Sequence, residues 1–116
     1  MSRRRAAGPG DRGGASKRPR PPTRDLDAQV LALREAGNSF SAIARRLEFG
    51  RATDAQRSFL RALGAHDVAE RQRLVEGEQA RLDQLEQRIR DRDAADPEKV
   101  RRRLIGVNNL REAMRP

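Results

Sequence analysis

Val68, Val75, Leu82 and Ile89 stand seven residues apart in a stretch without proline. That spacing predicts one long helix over about residues 67–92, with a narrow apolar seam that must be covered. Leu85 joins the seam, and Asp67/Arg71 and Glu86/Arg90 are ion pairs four apart in the favourable order. Gly77 interrupts the helix at a cost of about 1 kcal/mol relative to Ala. Asp96-Pro97-Glu98 then reads as a restart, with Asp as N-cap, Pro in the first turn and Glu facing the helix dipole. Val100, Leu104, Val107, Leu110 and Met114 give the last helix, about 97–114. The short Asp93–Asp96 connection folds the two back as an antiparallel hairpin over 65–116.

How much core such a chain can build is set by its composition. Of 116 residues, 35% are hydrophobic and 37% charged, with three Phe and no Trp or Tyr. So polar a chain buries a thin core, which favours helices sharing narrow stripes over a sheet sandwich. The expected class is all-α. Leu26, Val30 and Leu33 place a first helix at about 24–36, started by Thr23 or Asp25, with Asp25 and Asp27 toward the dipole and Gly37 as the stop. A short second helix follows Ser39 or Ser41, with Ile43, Ala44 and Leu47 inside and Phe40 as a staple at its start. Glu48 to Arg51 reads as a turn. Thr53-Asp54-Ala55-Gln56 has capping-box spacing, which opens a third helix that buries Ala55, Phe59, Ala62 and Leu63 and stops at Gly64.

Upstream of these helices, residues 1–23 contain no Leu, Ile, Val or Phe. Arg3, Arg4, Arg5, Arg12, Lys17, Arg18 and Arg20 face one acid, Asp11, so the segment carries +6 of the chain's +9. It cannot bury enough apolar surface to offset its ordering entropy, and a disordered basic arm is expected. Such an arm either neutralises phosphates or serves as a solubilising leader.

Catalytic constellations are missing. There is no cysteine, His66 is the single histidine at a helix junction, and no phosphate loop or paired-His helix occurs. The expectation is a protein that is not an enzyme and needs no cofactor or metal. No apolar stretch follows Arg3-Arg4-Arg5 to make a signal peptide, and no run is long enough for a membrane span. A cytoplasmic protein is expected.

Residues 26–63 carry a recognisable order. Val30-x-x-Leu33, Gly37-x-Ser39, Ile43-Ala44-x-x-Leu47, then Ala55 and Phe59 resemble the helix-turn-helix segment of bacterial and phage DNA-binding proteins. The pattern differs at Glu48, where that family commonly has Gly, and Leu47 to Ala55 is one residue longer than its tight form. The resemblance implies that the third helix offers Arg51, Gln56, Arg57 and Arg61 to a major groove, with Arg45, Arg46 and the arm nearby. The whole layout also resembles phage small terminase subunits. In those, a hairpin builds the oligomer and the N-terminal unit engages DNA. Here the hairpin interface would comprise Val75, Leu82, Leu85, Ile89, Val100, Leu104 and Val107. The expected function is binding of double-stranded DNA by an oligomer, for regulation or packaging. The alternative is a protein-interaction adaptor whose hairpin docks on a larger nucleic-acid machine such as a polymerase or ribosome.

Overall fold

A computed structural model describes residues 22–115, and the expectation of a disordered arm falls mostly outside them. The described residues form five helices: α1 Thr23–Glu35, α2 Phe40–Arg46, α3 Ala52–Gly64, α4 Val68–Arg92 and α5 Pro97–Ala113. No strand occurs among them, and no helix is long and apolar enough to cross a membrane. The three short helices pack together, with α3 against both α1 and α2, while α4 and α5 form the antiparallel pair. The molecule is elongated, 65 × 37 × 20 Å.

Caps explain most of the boundaries. Ser39 Oγ accepts the Ala42 N–H at 3.1 Å to start α2. Asp67 Oδ1 accepts from Glu70 N at 2.9 Å to start α4, and Asp96 Oδ1 accepts from Lys99 N at 3.1 Å to start α5. Gly37, at φ 102°, ends α1 in a left-handed turn closed by Asn38 N–H to Leu33 O at 3.1 Å. Gly77 does not break α4, which continues through it.

Four expectations are corrected. Helix α1 has Pro22 at its N-cap and no side-chain capping bond, so neither Thr23 nor Asp25 caps it. Asp27 turns inward instead of facing the dipole, because Ser58 and Arg61 of α3 wait for its carboxylate. The Thr53/Gln56 capping box does not form. Helix α3 starts two residues earlier, with Arg51 as an extended N-cap, since the Asp54 N–H already bonds back to Arg51 O at 3.1 Å. Phe40 is the first residue of α2 rather than a staple before it, and its ring meets Phe59 edge-on at 5.5 Å.

The long helix departs most from the heptad reading. Val68 is 80% exposed, whereas Leu74, Glu78 and Leu82 form its buried row. Near its start α4 meets the three-helix unit as well as the end of α5 at Met114, and a helix presents positions three and four apart to one neighbour. Farther along, Leu82 is buried in the same apolar core as Val100, Leu104, Val107 and Leu110, with Leu85 and Ile89 packed at its edge. One apolar core thus runs from Val30 and Phe59 through Leu74 to Met114.

Candidate nucleic-acid interface

Helix α2 ends in a turn that fixes where α3 can go. The Leu47 N–H bonds to Ile43 O at 2.9 Å, Glu48 adopts φ 62°, and the Phe49 N–H reaches back to Ala44 O at 2.8 Å. This is the Schellman pattern, six residues back to one, with Glu48 at the left-handed position that glycine fills most cheaply. A bend at Gly50 follows, and Arg51 enters α3 extended.

Helix α3 buries Ala55, Ser58, Phe59, Ala62 and Leu63. Its outward positions include Thr53, Arg57 and Arg61, with Gln56 half-buried at the side. Arg45, Arg46 and Arg51 are exposed and make no ion pair among the described residues. Arg57 is 70% exposed at its side chain and stands 3.5 Å from Asp54, a loose pair one turn away. Arg61 is different. Its Nε and Nη2 donate to the Asp27 carboxylate at 3.1 Å each, and Ser58 Oγ donates to the same carboxylate at 2.5 Å. Part of the Arg61 charge is thereby compensated by a buried acid, although half of its side chain stays in solvent. Four free or loosely held guanidiniums thus lie on the α2–α3 segment: Arg45, Arg46, Arg51 and Arg57. The predicted arm residues Arg3, Arg4, Arg5, Lys17, Arg18 and Arg20 lie outside the described residues.

Of the residues expected at an oligomer interface, Leu82, Val100, Leu104 and Val107 are buried within the single chain. Val75, Leu85 and Ile89 are half-buried and remain partly at the surface. His66 is exposed at the α3–α4 junction.

The sequence reading missed the polar contacts that hold the unit in place. Glu78 is fully buried and accepts from Arg34 Nε at 3.0 and 3.1 Å, from Arg34 Nη2 at 2.6 Å and from Arg81 Nε at 3.0 Å. Arg34 also donates to Asn38 O at 3.1 Å, and its guanidinium sits 4.1 Å from the Phe40 ring centre. One ion pair therefore ties α1, the start of α2 and α4 together. A signal was available, since Glu78 interrupts the row Leu74, Glu78, Leu82, four apart. Farther along, buried Asp93 binds Lys99 at 3.6 Å and Arg103 at 3.2 Å, joining the hairpin's two arms. Comparison of the chain with protein-family models, with curated proteins and with solved structures gives no match.

Proposed function

We propose that the protein binds double-stranded DNA through the α2–α3 segment, in the manner of a helix-turn-helix unit, with the basic N-terminal residues adding phosphate contacts. The observation that carries this reading is a cluster of cations on the surface of the α2–α3 segment. Arg45, Arg46, Arg51 and Arg57 are exposed there, the first three without an ion pair among the described residues, while the acid Asp27 is turned inward onto Ser58 and Arg61. The left-handed Glu48 supports it, because the turn bends α3 away from α2 at the position where the family uses glycine. Exposed guanidiniums of this kind hold phosphate oxygens and, where geometry permits, guanine edges.

The test is fluorescence anisotropy with labelled duplex DNA and the full chain. The Arg45→Gln/Arg46→Gln/Arg57→Gln variant is expected to lose on the order of tenfold or more in affinity, with its helical CD unchanged. Unchanged affinity in the triple variant would remove this segment from the interface.

A further inference from the structure

Charge is also segregated along the hairpin. Residues 88–103, at its far tip, hold seven basic and four acidic side chains. The remainder of the hairpin, 65–87 and 104–115, holds five basic and seven acidic. The excess at the tip is thus +3 against −2 at the base. Within it lies a groove lined by Leu85, Arg88, Ile89, Arg92, Asp93 and Arg103, open between α4 and α5. Arg103 is spoken for by Asp93. Arg88 and Arg92 are exposed and make no ion pair among the described residues. They stand one turn apart on α4, a like-charged arrangement that costs an isolated helix a few tenths of a kcal/mol.

From the groove we infer a second nucleic-acid contact, in which Arg88 and Arg92 grip the phosphate backbone of a duplex. Four residues at 1.5 Å per residue set the two about 6 Å apart along the helix, comparable with neighbouring phosphates on one strand. A second copy of the chain is a poor occupant. Seated here on a two-fold axis, it would set Arg88 and Arg92 against the same two cations of its partner. A polyanion satisfies both. The tip lies on the order of 30 Å along α4 from the three-helix unit, so one duplex touching both would be followed over about one helical turn. The contact extends the DNA-binding reading above but does not need the α2–α3 segment to be correct.

The experiment measures binding of the full chain to a random-sequence 40-base-pair duplex, roughly four helical turns, across a salt series. Four proteins are compared: wild type, Arg88→Gln/Arg92→Gln, Arg88→Lys/Arg92→Lys, and the α2–α3 triple variant. The Gln pair is expected to weaken binding on the order of tenfold or more at low salt. It should also flatten the slope of log affinity against log salt by about two. The Lys pair should keep the wild-type slope. Wild-type binding by the Gln pair overturns the tip contact, and a loss confined to the α2–α3 variant leaves the earlier reading standing alone. Loss in the Gln pair with none in the α2–α3 variant supports the tip and sinks the earlier reading. Equal loss in the Gln and Lys pairs, or no DNA binding by wild type, overturns the tip contact.

Discussion

Replacing Glu78 with Ala tests whether the buried Arg34–Glu78 pair fixes the three-helix unit on α4. In the intact protein the carboxylate takes three contacts from Arg34 and one from Arg81. Its loss leaves the Arg34 guanidinium, 11% exposed, with only Asn38 O and the face of Phe40. Removing one partner of such a pair costs about 3–5 kcal/mol, because the remaining charge is stranded out of water. That is a large share of the stability of a small domain. The assay is urea unfolding followed by far-UV CD, with the midpoint shift multiplied by the slope m. The double variant Arg34→Met/Glu78→Leu removes both charges while keeping volume, and should lie within about 1–2 kcal/mol of wild type. A Glu78→Ala penalty under about 1 kcal/mol would refute the reasoning, as would a double variant worse than the single one.

Three further outcomes are expected. Glu48→Gly should be more stable than Glu48→Ala by about 1 kcal/mol, since both remove the same side chain and only glycine relieves the cost of φ 62°; equal thermal midpoints for the two variants would contradict this. Gly77→Ala should stabilise by about 1 kcal/mol, because nothing lies within 4 Å of the added Cβ, and a loss in thermal midpoint would contradict this. The hairpin should lose stability in acid: hydrogen bonds from Arg111 and then Arg90 hold the Glu86 carboxyl below the usual carboxylate range. A depressed carboxyl contributes above its unfolded value and loses that contribution as pH falls through its folded one, so Arg111→Gln should show a smaller drop between neutral and acid pH than wild type.

How much the sequence revealed follows a physical line. Local chemistry was legible where it acts within one turn of backbone: Asp96 caps the last helix, Ser39 rather than Ser41 caps the second, and Gly37 ends the first, whereas Asp67, read as the ion-pair partner of Arg71, serves as the N-cap of α4. Tertiary choices were not. The heptad Val68, Val75, Leu82, Ile89 suggested one seam, yet α4 serves two neighbours and shifts its buried row to Leu74 and Glu78 where it meets the three-helix unit. Glu78 and Asp27 look like solvated acids by type, and only their partners Arg34, Ser58 and Arg61, distant in sequence, reveal them as buried. Glu48 hid a left-handed turn because nothing in its side chain announces positive φ. At the candidate interface the outward placement of Arg57 followed from helical period, whereas the diversion of Arg61 to Asp27 depended on the packing of α1 against α3.

The central claim is that exposed guanidiniums bind duplex DNA through its phosphates. Its most direct test is the affinity of the wild-type full chain for duplex DNA measured from about 50 to 300 mM salt. Each phosphate neutralised contributes about 0.9 to the slope of log affinity against log salt. Contacts by Arg45, Arg46, Arg51 and Arg57 alone require a slope steeper than about −3. Binding that is absent at 50 mM salt, or that changes little across the series, would contradict the account.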